Sequence, residues 1–271
     1  MSPASGITEF YCRIAKGERA RPEWINLFLL AVLAGMLISF AGAASIALGA
    51  FSPEPGIRRI LSAAIFPAGV ILAAVTGAEV FTGRILLLTP ILAQLNSIRC
   101  TLRYWVVVWS GNLLGSIIIV LMMHAGGLFQ YLSGRYSLFL IDAAANKAGY
   151  GILRLIVLGT ACNILVCIGV LVAARCKRIT DKALVIYFPI FLFVLLGFEN
   201  SIANMYTLPA GLLAAADAGA RQAAEAAGTP IGQLTIWNVL KNLAFVTFGN
   251  VLGGAFVSTI DHKTGGGPGF T

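Results

Sequence analysis

The stretch that decides the fold is "FVLLGFENSIANMY", residues 193–206, where polar residues interrupt a strongly apolar run. Glu199, Asn200 and Asn204 place a carboxylate and two amides directly after leucine, valine and phenylalanine. Burying such groups is costly unless they satisfy the backbone or form a site. The first question is therefore whether the surrounding chain crosses a membrane.

The composition answers that question. Of the 271 residues, 58% are hydrophobic and 11% are charged. A soluble domain carries about a quarter charged residues, so this chain cannot cover itself with a water-facing surface. Apolar runs near or above the ~20 residues that cross a bilayer recur along the chain. They lie at 25–50, 61–93, 104–123, 152–174, 183–213 and 236–260. We predict an all-α membrane protein with six transmembrane helices.

The net charge of +8 follows membrane topology rather than a nucleic-acid surface. With the N-terminus inside, most basic residues fall in cytoplasmic segments: Arg13, Lys16, Arg19, Arg21, Arg99, Arg103, Arg175, Lys177, Arg178, Lys182 and Lys263. The opposite loops hold Arg58, Arg59, Arg135, Lys147 and Arg221. This positive-inside pattern predicts a multi-pass protein of the inner (plasma) membrane with both termini cytoplasmic. We expect the lipid bilayer as a partner and no nucleic acid.

Two of the apolar runs are broken, at "TGAEVFTGR" (76–84) and at "GFENSIAN" (197–204). Both breaks contain Gly-x-Glu, and Glu199 lies 120 residues after Glu79. A second echo joins "GNLLG" (111–115) to "GNVLG", which begins 138 residues later. The polar, alanine-rich segment between the last two runs accounts for the difference in offset.

These echoes predict two repeats of three spans, residues 25–125 and 150–260. Each repeat has an odd number of spans, so the second repeat starts on the opposite side of the membrane and is inverted. Matching broken helices in inverted repeats mark a central transport site. The small residues of the second echo favour close helix packing, within or between protomers. A cytoplasmic segment 1–24 precedes the channel domain 25–260, and a cytoplasmic tail 261–271 follows it.

A broken helix leaves backbone groups unpaired in hydrocarbon, so each break must be buried in protein or line a watery cavity. Glu79 and Glu199 then accept hydrogen bonds from freed amides or neighbouring hydroxyls, or they line the pore. Anion transport disfavours the second role. Arg84 also has two possible roles, reaching the cytoplasmic vestibule or binding carbonyls of the break.

The motifs match a known family. "GFENSIANMYTLP" (197–209) resembles the GFEHSIANM signature of formate/nitrite transporters, and "GAEVFTG" (77–83) and "TACNILVC" (160–167) also fit. The likeness covers essentially the whole chain, including the order and spacing of the spans. It implies an aquaporin-like, inverted 3+3 protomer with helices 2 and 5 broken, assembled as a homopentamer. Each protomer would pass small monovalent anions or their neutral acids, with no metal ion or other cofactor.

The resemblance also implies where the pore narrows. Phe66 and Phe193 form an outer constriction with Val70 nearby. An inner constriction follows from Val80 and Phe81, beside Thr82.

Further roles follow from the same resemblance. Asn163 matches an inward-pointing asparagine of the fourth helix, and Lys147 matches a lysine in the outer vestibule. Glu79, Glu199 and Asn204 are expected to be structural residues at the helix breaks.

One departure concerns the centre of the pore, where Asn200 stands in place of the family's histidine. A histidine exchanges protons near neutral pH, whereas an asparagine offers a donor and an acceptor but does not titrate. Protonation of the passing anion by this residue is therefore not expected here.

Other functional classes fit less well. The only histidines, His124 and His262, belong to opposite sides of the membrane, which disfavours a haem-binding bundle or an intramembrane hydrolase. An aquaporin-like neutral-solute channel would carry paired NPA motifs, and none occurs in this chain.

The five cysteines form no CxxC pair, so free thiols are expected. Formate is the expected substrate, with nitrite or hydrosulfide as alternatives.

Overall fold

The computed structural model describes residues 24–52, 54–94 and 96–264. Their helices are α1 (Trp24–Phe51), α2 (Pro55–Ile65), α3 (Pro67–Thr76), α4 (Phe81–Arg84), α5 (Leu88–Leu92), α6 (Ile98–Ala125), α7 (Arg135–Ala148), α8 (Ile152–Arg175), α9 (Ile179–Leu196), α10 (Ser201–Ala214), α11 (Ala218–Ala226) and α12 (Ile236–Lys263). Most of the two predicted cytoplasmic end segments lies outside the described residues.

Within that part of the chain, six helical stretches are long and apolar enough to cross a membrane. They are α1, α2 with α3, α6, α8, α9 and α12. The predicted all-α fold with six spans is therefore confirmed. Two helices that the apolar runs did not predict, α7 and α11, connect spans, and α11 lies in the alanine-rich segment.

The second and fifth spans are broken, as predicted. Helix α3 ends at Gly77 with φ +75°, and α9 ends at Gly197 with φ +70°. In this left-handed region glycine has no Cβ to clash, so both helices stop there. The chain is extended at Val80 (φ −98°, ψ 120°) and Asn200 (φ −118°, ψ 124°), and the next half-helix begins directly after each.

Glycine pairs let four of the spans pack closely within this chain. Gly111 and Gly115 lie against the backbone of α1, and Gly249 and Gly253 lie against the backbone of α8. A Cβ at any of these positions would collide with the neighbouring helix. The packing left open by the sequence is thus inside the protomer, and it pairs α1 with α6 and α8 with α12.

Candidate functional site

A cavity of about 550 Å³ lies among α1, α3, α4, α8 and α9 and reaches both helix breaks. Its lining includes six of the predicted pore residues: Phe66, Val70, Val80, Thr82, Phe193 and Asn200. Glu79, Arg84 and Lys182 add charged groups to the same cavity. The fold therefore brings residues of both halves of the chain to one space.

An aromatic pair forms part of the cavity wall. The rings of Phe66 and Phe193 meet edge to face, with 5.9 Å between centroids and 80° between planes. Both side chains are buried. Phe66 stands where α2 gives way to α3, because Pro67 has no N–H with which to continue the helix. Two apolar rings in contact make this section of the wall dry.

Asn200 is both a helix cap and a part of the cavity wall. Its Oδ1 accepts hydrogen bonds from the backbone N–H groups of Ile202 (3.0 Å) and Ala203 (3.2 Å), which start α10. Its Nδ2 lies 3.8 Å from the Sγ of Cys162, a weak acceptor. Capping thus fixes the orientation of the amide and leaves its NH₂ group able to donate to a bound anion.

Three predicted site residues are not among those that line this cavity. Asn163 is fully buried behind the wall and donates to the carbonyl oxygens of Thr82 (3.2 Å) and Asn250 (2.7 Å). The ring of Phe81 packs edge to face on Trp105, 6.1 Å between centroids. The third residue is Lys147, which binds at the second helix break.

The carboxylate at the first break is paired with a cation. Glu79 Oε1 accepts from Nη2 of Arg84 at 2.9 Å, and Oε2 contacts the Nε of the same guanidinium. The hydroxyl of Tyr104 donates to Oε2 at 2.7 Å. This fork is the strong, bidentate form of an ion pair. Arg84 therefore reaches the cavity, with its charge compensated by Glu79.

The carboxylate at the second break is also paired, from a different direction. Glu199 is 1% exposed, and its Oε1 lies 2.5 Å from the Nζ of Lys147 at the end of α7. Asn204, one turn into α10, donates to Oε2 at 2.6 Å. The lysine that the resemblance placed in an outer vestibule thus has its charge compensated by a buried carboxylate.

Two asparagines that sequence reasoning did not include hold the broken backbones. Asn112 on α6 donates to the carbonyl of Glu79 at 2.8 Å, and Asn250 on α12 donates to the carbonyl of Glu199 at 3.0 Å. Each also donates to a carbonyl of α1 or α8. Each accepts the N–H of the residue that starts the next half-helix, at 3.0 Å and 2.9 Å. The signal was present, since this asparagine follows the first glycine in both "GNLLG" and "GNVLG".

The backbone N–H groups of the two break glutamates bind carbonyls of neighbouring helices rather than glutamate side chains. The N–H of Glu79 donates to the carbonyl of Leu30 at 3.1 Å, and that of Glu199 donates to the carbonyl of Leu158 at 3.3 Å. The carboxylates were expected to accept from freed amides or neighbouring hydroxyls. One such hydroxyl is present, since Tyr104 donates to Glu79. The main partners of the carboxylates are cations, which sequence spacing did not indicate.

This chain is similar in sequence to a family of known membrane transporters. A family model described as formate/nitrite transporter matches residues 9–262. The formate channel FocA of Escherichia coli is 30% identical over 244 residues, which cover 88% of this chain and 86% of that protein. FocA of Haemophilus influenzae is 31% identical over 203 residues, covering 74% of this chain and 72% of that protein.

Two solved structures share the fold. A pentameric formate channel with formate bound matches with a TM-score of 0.79 and 31% sequence identity, covering 91% of this chain and 98% of that chain. An ion channel described as belonging to the FNT family matches with a TM-score of 0.78 and 25% identity, covering 94% of this chain and 95% of that one.

Proposed function

Because the chain belongs to the formate/nitrite transporter family, and is therefore a multi-pass membrane channel rather than an enzyme, we propose that it carries formate. Relatives in two bacteria are named formate channels, and the solved relative with formate bound has the same fold. Nitrite and hydrosulfide are the alternatives within the family.

The observation that carries the proposal is the cavity wall formed by Asn200 and the Phe66–Phe193 pair. The amide of Asn200 is held by its cap, so it presents a donor without needing to reorganise. A carboxylate as small as formate offers acceptor oxygens to this donor. The aromatic pair then separates the substrate from free water.

The dry aromatic section selects the form in which formate passes. An unpaired charge in a low dielectric is far more costly than a neutral acid, so the anion needs a proton or compensating donors. We propose that formate takes a proton from water as the dielectric falls, because low dielectric favours the neutral acid. Asn200 does not titrate, and in this proposal it positions the substrate rather than protonating it.

The charged pairs limit how strongly the protein attracts the anion. Lys147 was expected in the outer vestibule, and Arg84 either in the cytoplasmic vestibule or on carbonyls of the break, but each lies against a carboxylate. Lys182 adds a cation toward one end of the cavity, and the attraction at the centre comes from neutral donors, with Asn200 and Thr82 closest to the path in this proposal. An intact anion held by these two residues while the pore opens transiently is the second candidate route.

We further propose a homopentamer in the inner membrane, with one pore in each protomer and both termini in the cytoplasm. The pentameric assembly of the solved formate channel supports the homopentamer, and the distribution of basic residues supports the cytoplasmic position of the termini. In this orientation the Lys147 end faces outward and the Lys182 end faces the cytoplasm. The matched hydrogen bonds of Asn112 and Asn250 support inverted repeats at 25–125 and 150–260.

The test is formate flux into proteoliposomes from about pH 5 to pH 8, a range in which a histidine titrates and an asparagine does not. Native protein and Asn200→His are compared, with glycerol as the neutral control solute. We expect native flux that rises steeply as the pH falls and a pH profile that the histidine reshapes. If the native protein passes nitrite or hydrosulfide but not formate, the assignment of formate as the substrate is overturned. Flux independent of pH at fixed total formate overturns the neutral-acid route and favours the intact anion.

A further inference from the structure

We propose that Arg59 is a positioning residue that docks the end of α9 onto α2 and thereby sets how closely the Phe66 and Phe193 rings approach. The proposal rests on the proposed channel function, because it concerns which acids pass the aromatic pair. Arg59 itself is not assigned to the substrate path.

The first observation is where the carbonyls of the last turn of α9 find their partners. The carbonyl of Phe193 accepts the N–H of Phe198 at 2.9 Å, and that of Val194 accepts the N–H of Gly197 at 3.1 Å. The carbonyl of Leu195 accepts the Nε–H of Arg59 at 2.6 Å. A helix leaves its final carbonyls without intrahelical donors, so Arg59 completes the end of α9 from another span.

The second observation is the contact between the guanidinium and Gly197. A Cβ at this position would collide with Nη2 of Arg59. Gly197 therefore provides room for the arginine as well as the left-handed backbone at φ +70°. A cation here also interacts favourably with the negative end of the helix dipole.

The third observation is how these contacts surround the aromatic pair. Arg59 and Phe66 are seven residues apart, about two helical turns, so they share one face of the second span. Their partners on α9, Leu195 and Phe193, are two residues apart. The hydroxyl of Tyr187, six residues before Phe193 on α9, donates to the carbonyl of Ala64, two residues before Phe66, at 3.2 Å. The second span is thus tied to α9 on both sides of Phe193, through Arg59 and Ala64.

The two halves of the chain differ at this point, and the difference assigns a local role to the arginine. The residue 120 positions after Arg59 is Ile179, which carries no charge. Among the described residues, a Cβ at Gly77 would meet no arginine such as the one at Gly197, although Asn112 supports this break as Asn250 supports the other. The arginine contact is an addition at the aromatic pair rather than a requirement of every break.

Removing this contact should loosen the end of α9 and widen the space between the rings. Larger acids such as lactate would then gain more than formate. Loss of positive charge alone would reduce the local concentration of both anions together and leave their flux ratio unchanged. The lactate-to-formate flux ratio therefore separates positioning from electrostatic attraction.

The experiment compares Arg59→Met, Arg59→Lys and Arg59→Gln with the matched control Arg58→Met in proteoliposomes. Arg58 is the adjacent residue of the same helix, but it donates to the carbonyl of Ser52 at 3.2 Å and lies over the ring of Phe139. We expect Arg59→Met to raise the lactate-to-formate ratio about threefold to tenfold, the range set by loss of one hydrogen bond. Arg59→Lys and Arg59→Gln each keep a donor and should restore part of the native ratio, while Arg58→Met should not change it.

A second readout does not depend on transport. Amide hydrogen exchange over residues 193–200 should accelerate in Arg59→Met and not in Arg58→Met, because Arg59 donates to the carbonyl of Leu195 whereas Arg58 donates to that of Ser52. An unchanged exchange rate, or equal changes in the two variants, overturns the inference. A native protein without formate flux contradicts the proposed function, and the exchange result then decides the positioning role alone.

Discussion

Asn112 and Asn250 hold the two helix breaks with the same set of hydrogen bonds, each donating to the carbonyl of a break glutamate and accepting the N–H that starts the next half-helix. The carboxylates of those glutamates turn away from the backbone and bind Arg84 and Lys147. The asparagines thus satisfy the backbone at each break, whereas Arg84 and Lys147 compensate the charges of the glutamates. This division lets an irregular backbone persist inside a membrane span.

Replacing either asparagine with leucine should destabilise the protein strongly. Both side chains are fully buried, and their loss leaves the carbonyl of a break glutamate and the N–H that starts the next half-helix without a partner. We expect the free energy of unfolding to fall by about 3 kcal/mol or more, measured in detergent by denaturant titration. Asn146→Leu is the control, because Asn146 is exposed and its side-chain bonds to described residues go to Asp142 of its own helix. An equal loss in the control would contradict the assignment.

Lys147→Met should leave the buried Glu199 without its cation. Breaking a buried ion pair by removing one partner costs about 3–5 kcal/mol, and the remaining negative charge should also reduce anion flux. The double variant Lys147→Met/Glu199→Gln should regain stability, because glutamine can still accept from Asn204 without carrying a charge. Thermal unfolding and formate flux measure the two effects.

The exposed pair Arg221–Glu225, at 3.1 Å, provides the matched control for that experiment. Arg221→Met should change stability by no more than about 1 kcal/mol, because solvent screens exposed pairs. A Lys147 variant that behaves like the Arg221 variant would mean that the Lys147–Glu199 contact contributes little.

The spans and breaks could be predicted because they depend on local features. Apolar length locates a span, and a glycine beside a polar residue locates each break, as at Gly77 and Gly197. The repeated Gly-Asn pair also contained the signal for Asn112 and Asn250, although its hydrogen bonds could be assigned only once the helices were in place. The prediction that freed backbone N–H groups would bind the glutamate side chains did not include the side-chain amides of Asn112 and Asn250.

The remaining contacts join residues too far apart in sequence for spacing to indicate them. Lys147 and Glu199 are 52 residues apart, and Arg59 and the Leu195 carbonyl are 136 apart. A bond to a backbone carbonyl leaves no trace in the acceptor's residue type. The resemblance assigned Asn163 to the pore, but its surroundings in the fold use its amide behind the wall.

Phe193→Ala should widen the dry section of the cavity. Loss of the ring removes the edge-to-face contact with Phe66, so we expect lactate flux to rise relative to formate flux, together with a fall in stability of about 3 kcal/mol. The control is Phe188→Ala on the same helix, whose side chain is 56% exposed on the outer surface of the helical bundle. Equal flux ratios in native protein and Phe193→Ala would place the selective barrier elsewhere.

Asn200→Asp should preserve the fold and block the anion. Aspartate caps a helix as well as asparagine does, so the bonds to Ile202 and Ala203 are kept and α10 still begins at Ser201. The substitution replaces a donor at the cavity wall with a negative charge, so formate flux at neutral pH should fall about tenfold or more. As the pH falls, protonation removes that charge, and flux should recover more steeply than in native protein. Asn200→Ser, which also caps but stays neutral, should retain more flux than the aspartate variant. Native-level flux in Asn200→Asp at neutral pH would show that the substrate does not pass this side chain.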